Sequence, residues 1–276
     1  MPPSAYFFYQ PEYKGSIRTS ERSTVLRCGT MLKSSVQRAL AIAGLRLSRI
    51  PKEVDAPREY IEPALIQAAE KAGVYVGDYA EREWGEVGRS RSIVETLYRP
   101  RLKEDSVVLE AGPGTGMFAI KVLEHIPKGT MHLFEIDPYW KNFLARLLGS
   151  DSRVLIQETN GYSYDDIPDE SIDLYHANGV FVYTPHLVTC RNLIEAVRVT
   201  RRGGTIAFDF FNMEEVPQIF EFVQLNAFPK PQEHWTLNSL SFFRAFMEKM
   251  GCTLEATHQV KMANFHSLYS VFRKAG

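Results

Sequence analysis

The chain has 276 residues, 45% hydrophobic and 24% charged, which suits one large globular domain or a domain with an added terminal piece. Its three cysteines, Cys28, Cys190 and Cys252, are odd in number and lack metal-ligand spacing, which argues against a disulfide framework and points to a reducing compartment. No apolar run approaches a transmembrane span, and MPPSAYFFYQPEYKG lacks the basic-then-apolar order of a secretory leader, so a cytoplasmic protein is expected.

The formal net charge of −1 is unevenly spread. Between Lys14 and Arg49 stand Lys14, Arg18, Arg22, Arg27, Lys33, Arg38, Arg46 and Arg49 against one acid, Glu21. Such an asymmetry marks either a solvated arm or contact with an anionic surface. Residues 1–30 show no sustained period. From Met31, which could itself be a start codon, Val36, Leu40, Ala43 and Leu47 lie near one helical face, with the basic residues elsewhere, until Pro51 stops the helix. Residues 1–58 are therefore expected to form a basic N-terminal arm with an amphipathic helix. Residues 59–105 are expected to form a helical lid, and 106–276 the core. Within the lid, 59–72 reads as a helix ending near Gly73, and Ser90–Tyr98 as another that Pro100 stops.

The pattern then alternates. Strands are expected at Ser106–Glu110, Met131–Ile136, Arg153–Glu158, Ile172–Ala177 and Gly204–Phe211, the last introduced by a turn at Arg202-Gly203-Gly204. Helices are expected at Met117–Ile126, Tyr139–Leu148 and His186–Thr200. Alternation at this spacing predicts an α/β doubly wound, Rossmann-like parallel sheet. The tail predicts a helix over Leu237–Met250 and then strands Thr253–Lys261 and Ser267–Arg273, whose short link requires an antiparallel hairpin.

The first strand runs into Glu110-Ala111-Gly112-Pro113-Gly114-Thr115-Gly116. A strand-to-helix loop offers free backbone N–H groups, and glycines let it turn tightly and let a ligand approach closely. A dinucleotide site wants a third glycine where Met117 stands, and Glu110 would repel a pyrophosphate. Beside a cation the same acid is favourable.

This stretch resembles the E/D-x-G-x-G-x-G signature of class I S-adenosylmethionine-dependent methyltransferases, whose ligand carries an ammonium and a sulfonium. HLFEIDP, ETNGYSYDDIPDESIDLYHANG, YHANGVFVYTPH and RVTRRGGTIAFDFF extend the resemblance over about residues 79–275. The resemblance implies seven strands in the order 3-2-1-4-5-7-6, with the last antiparallel, behind an N-terminal helical extension. It implies S-adenosylmethionine as cofactor, held by Glu110, Gly112, Gly114, Thr115, Gly116, Glu135, Ile136, Asn160, Gly161 and Asn178, with Tyr79 as a wall. Glu135, at the second strand's end, would accept from both ribose hydroxyls, and Asn160-Gly161 would meet adenine. Asp137 is the competing acid, and Asp173 is expected to position the fourth strand.

A hydroxyl acceptor needs its proton removed. His186 and His234 are the leading bases, with His176 and Tyr183 also placed at strand ends. Trp235 and Trp84 are further candidate walls. The expected activity is O-methylation of a small molecule or sugar, with a surface-glycan precursor as the finer version. The basic arm would then make peripheral contact with the inner membrane face. No nucleic-acid partner and no metal site are expected. A nicotinamide-dependent oxidoreductase and an inactive cofactor-binding protein are the alternatives.

Overall fold

The strands form because short β-branched and aromatic runs alternate with helical periods, and a parallel arrangement buries them on both faces. The computed structural model describes residues 61–84, 87–225, 235–262 and 265–276. The expected N-terminal arm and its amphipathic helix, and His234, lie outside the described residues.

Strands β1 (Val107–Ala111), β2 (Thr130–Glu135), β3 (Val154–Glu158), β4 (Ile172–Ala177) and β5 (Thr200–Asn212) are parallel neighbours in the order 3-2-1-4-5. A two-residue strand β6 (Leu237–Asn238) pairs with the end of β5. The hairpin β7 (Cys252–Met262) and β8 (Phe265–Lys274) completes the path 3-2-1-4-5-8-7, with β8 antiparallel to both β5 and β7. Apart from the extra β6, this is the expected order.

Helices α1 (Ile61–Lys71), α2 (Val76–Trp84) and α3 (Arg89–Ile93) precede β1. The chain continues from α3 through a π turn at Val94–Tyr98 and a 3-10 turn at Arg99–Arg101. Pro100 has no N–H to return to the helix, so the regular ladder ends in these irregular turns. Helices α4 (Met117–Leu123), α5 (Pro138–Leu148) and α6 (His186–Val199) are the crossovers. Helices α7 (Val216–Leu225) and α8 (Leu240–Lys249) follow β5.

Two apolar layers flank the sheet. Ile93, Leu97, Tyr98, Phe118, Val122 and Leu144 lie in one, and Leu193, Ala196, Phe243 and Met247 in the other. The Asp173 carboxylate accepts from the Val107 N–H at 2.7 Å, tying the start of β1 to β4. No described helix is long and apolar enough to cross a membrane.

Some elements differ from expectation. Residues 237–238 are strand rather than helix, because Ser239 caps α8 by accepting from the Phe242 N–H. Strand β5 begins at Thr200, so the expected turn lies inside it. Gly203, at φ +68°, takes the left-handed backbone there, beside a register shift against β4. Helices α2 and α7 were not expected.

Candidate active site

The loop after β1 is built on left-handed glycines, with φ +63° at Gly112, +51° at Gly114 and +76° at Gly116. Side-chain-bearing residues adopt this region at a cost. The Gly112 N–H donates to Phe134 O at 2.8 Å, fastening the loop to β2, and the Gly116 N–H closes a turn onto Pro113 O at 2.8 Å. A Cβ on Gly112 would stand 2.7 Å from Val180 Cγ2. A Cβ on Gly114 would meet nothing within 4 Å, so this glycine borders open space. From below, the Tyr75 hydroxyl donates to the buried Thr115's carbonyl. Tyr75 was not among the expected residues. Its signal is only a tyrosine just ahead of an unrecognised helix.

Two buried carboxyls face this loop. Glu135 ends β2, and its oxygens accept from the Gly114 N–H and the Asp137 N–H, both at 2.9 Å. Burial lifts its pKa to about 7 in spite of those bonds. Asp137, the competing acid, instead caps α5 by accepting from the Tyr139 N–H at 2.8 Å. Glu110 is 1% exposed, and its Oε2 has no hydrogen-bond partner. Burial, and then the Glu135 carboxylate, push its pKa up to about 8. An unpaired buried carboxyl is costly unless a cation or donor meets it.

Three of the four expected catalytic residues, His176, Tyr183 and His186, are among the described residues. His176 lies in register with Glu110 and is fully buried, not at a solvent-facing rim. Its Nδ1 accepts from Asn178 Nδ2 at 2.8 Å, while Asn178 Oδ1 accepts from the Tyr98 hydroxyl at 2.6 Å. The proton of the neutral ring therefore sits on Nε2, which has no partner. Burial depresses the His176 pKa to about 3, so the ring stays neutral and is a poor base. His186 donates from Nδ1 to Asn238 Oδ1 at 2.7 Å, faces Cys190 Sγ from Nε2 at 3.7 Å, and stacks near Phe242 and Phe243. Tyr183 and Trp235, with ring centroids 5.0 Å apart, join Phe211 and Ile219 in an apolar group at the end of β5.

Asn160 is exposed, and its Oδ1 accepts from the Tyr162 and Ser163 N–H groups, forming a local turn. Gly161 follows at φ +87°. Ile136 is partly exposed directly beyond Glu135. Tyr79 lies under the Arg82 guanidinium, 4.7 Å from its ring centroid, and it is Tyr75 that reaches the loop. Among the described residues no cluster could hold a metal ion.

A parallel sheet with this strand order, a three-glycine turn after β1 and a carboxylate ending β2 define a class I methyltransferase fold. Residues 109–208 match the methyltransferase domain family. It is 26% identical over 111 residues to malonyl-[acyl-carrier protein] O-methyltransferase 1 of Ilyobacter polytropus, a match covering 40% of this chain. The chain spans about two fifths of that relative's length, 39%. Among solved structures, a SAM-dependent methyltransferase of Methanosarcina mazei has TM-score 0.54 at 11% identity, covering 65% of this chain and 97% of that one. The YcgJ protein of Bacillus subtilis has TM-score 0.53 at 14% identity, covering 68% and 98%. These likenesses are of fold. The unpartnered Glu110 oxygen and the open face of Gly114 fit a ligand that is cationic and lies against the loop.

Proposed function

We propose that this chain transfers a methyl group from S-adenosylmethionine to an oxygen of a small-molecule or sugar acceptor. The observation that carries this reading is the buried Glu110 oxygen left without a partner beside the glycine loop. It fits an ammonium and opposes a pyrophosphate, which disfavours the nicotinamide alternative. S-adenosylmethionine, when bound, supplies a methyl carbon made electrophilic by its sulfonium. Glu110 would hold the ammonium, and Glu135 the ribose hydroxyls through the lone pairs its backbone bonds leave free. The loop from Gly112 to Gly116 and Ile136 would line the cofactor, with Asn160 and Gly161 toward adenine. Asn178 would act through the chain Tyr98–Asn178–His176, fixing which imidazole nitrogen carries the proton.

Oxygen as the accepting atom is supported by the name of the curated relative. Tyr183 and Trp235 would wall the acceptor side. His186, oriented by its Nδ1 bond to Asn238, would take the proton at Nε2, and His234 is the other candidate. In the finer version the acceptor is a surface-glycan precursor at the inner membrane face, with the basic arm as anchor. Replacing Lys33, Arg38, Arg46 and Arg49 with Gln should then weaken sedimentation with anionic liposomes, and unchanged sedimentation removes that version.

The direct test is calorimetric titration with S-adenosylmethionine, S-adenosylhomocysteine and NADH. Micromolar binding of the first two alone is the expected result, and a methyl-acceptor screen then separates an enzyme from an inactive binder. NADH binding in their place overturns the proposal.

A further inference from the structure

A second feature lies four strand positions from β1, along the path β1-β4-β5-β8-β7. A cavity of about 360 Å³ lies between α3 and the β7–β8 hairpin, lined by Arg89, Ser92, His258, Gln259, Lys261 and His266, with Ile93 and Val260 also lining it. Its polar lining is basic or neutral. Among the described residues neither Arg89 nor Lys261 has an acidic group within ion-pair distance, and Arg89 Nε is buried without a hydrogen-bond partner. His266 Nδ1 meets Gln218 of α7.

Two acids lie nearby, and both are engaged elsewhere. Asp209 accepts from the Gly179 N–H at 2.6 Å and from Ser267 Oγ at 2.5 Å. Arg89 is near enough to oppose part of the burial-driven rise in the Asp209 pKa. Glu81 accepts from the N–H groups of Gly88 and Ser90 at 2.8 and 2.6 Å. Neither carboxylate takes a hydrogen bond from the Arg89 guanidinium, whose planar fork suits an oxyanion.

The cavity's height in the sheet ties it to the reaction. His258 pairs with Tyr269, and Tyr269 with Asp209. Asp209 stands two residues beyond Ala207, the partner of His176, so this level lies past the carboxyl ends of β1 and β4. That is the edge where open α/β sheets bind ligands. Asp209 also anchors Gly179, in the turn that follows β4. From β4 to β7 is three strand spacings, about 14 Å.

We propose that this cavity is an oxyanion site that holds a phosphate or carboxylate of the methyl acceptor, at a distance from the oxygen that is methylated. The acceptor is then elongated, with its anionic end under Arg89 and Lys261 and its reacting end above β4. The inference rests on the methyltransferase reading for what the anion belongs to, but the anion site can be measured without it.

The experiment titrates the full chain calorimetrically with inorganic phosphate and, separately, with malonate, at constant ionic strength so that screening is the same throughout. S-adenosylhomocysteine is titrated in parallel. Wild type should bind one or both anions, and the tighter of the two gives the acceptor's class. Arg89→Gln and Lys261→Gln should each weaken anion binding about tenfold or more, the scale of a lost charge-assisted hydrogen bond, with cofactor affinity unchanged. Unchanged cofactor affinity also shows that the variants are folded, and Lys261→Gln changes an exposed residue should Arg89→Gln not fold. A wild-type chain that takes cofactor but neither anion overturns the site, as do folded variants that bind anions as tightly as wild type. A wild-type chain that fails to bind cofactor overturns the methyltransferase reading instead.

Discussion

Replacing Glu110 with Gln keeps the shape of the side chain and removes its ability to ionise. In the cofactor-free protein the Glu110 carboxyl holds its proton up to about pH 8, against an ordinary value of 4.5. The unfolded chain releases that proton first. Between the two values the unfolded state therefore binds fewer protons than the folded state, and stability falls as pH rises through the window, levelling off above about pH 8. At ~1.4 kcal/mol per pH unit the whole window is worth up to about 5 kcal/mol. Above pH 8, Glu110→Gln should be the more stable protein in the absence of cofactor, by a few kcal/mol. Binding should show the opposite preference. An ammonium favours the carboxylate, so at pH 7 binding must expel about one proton, and affinity should rise by up to tenfold between pH 7 and pH 8. Glu135, with its pKa at about 7, adds a smaller dependence of the same sign at lower pH. Calorimetry with S-adenosylhomocysteine in buffers of different ionisation heat measures the proton released, and urea denaturation at pH 6 and pH 8.5 measures stability. A wild-type affinity that is flat between pH 7 and 8, together with an unaltered Glu110→Gln affinity, would refute the assignment of Glu110 to the ammonium.

Three other outcomes follow from the same geometry. Gly114→Ala places a left-handed alanine beside open space, so it should cost only about 1–2 kcal/mol of stability, a few degrees in Tm, while weakening S-adenosylhomocysteine at least about tenfold. Normal cofactor binding by this folded variant would show that the loop faces something else. Gly112→Ala adds a contact of 2.7 Å with Val180 to the same backbone cost, so thermal denaturation should show a clearly larger loss, about 2–4 kcal/mol. Glu135→Ala should weaken cofactor binding by ~1.5–3 kcal/mol, about 10- to 150-fold by calorimetry. An unchanged constant would mean that another group holds the ribose.

The glycine loop and the parallel strands were legible because their signals are local. VVLEAGPGTG carries a buried strand, a carboxylate and three left-handed positions within ten residues, and each has one simple physical reading. Asp173 was legible for a similar reason, since an acid at a strand's start finds a backbone N–H across the sheet. Helix α7 was missed, although Gln218, Glu221 and Gln224 recur every three residues along VPQIFEFVQL and set a polar face. Helix α2 was hidden by Gly77. Its close approach to Met117, where a Cβ would stand 2.8 Å from the neighbouring Cβ, is a tertiary fact that spacing cannot show. The surroundings of the histidines belong to the same class. His176 and His186 look alike as single letters at strand and helix ends. Only the fold reveals that one is sealed beneath Tyr98 and the other is tied to Asn238, 52 residues away. The basic cavity escaped notice because Arg89 and the β7–β8 residues are far apart in sequence.

The position of β8 has a consequence for the order in which the molecule assembles. The last strand along the chain fills an inner slot of the sheet, with β5 on one side and β7 on the other. Until it arrives, β5 exposes an unpaired edge rich in phenylalanine, and β7 has no neighbour among the described strands. The sheet therefore cannot close by adding strands outward from β1. The hairpin has to form as a unit and dock onto β5 in a late, non-local step, and the species waiting for that step is the one most exposed to edge-to-edge association.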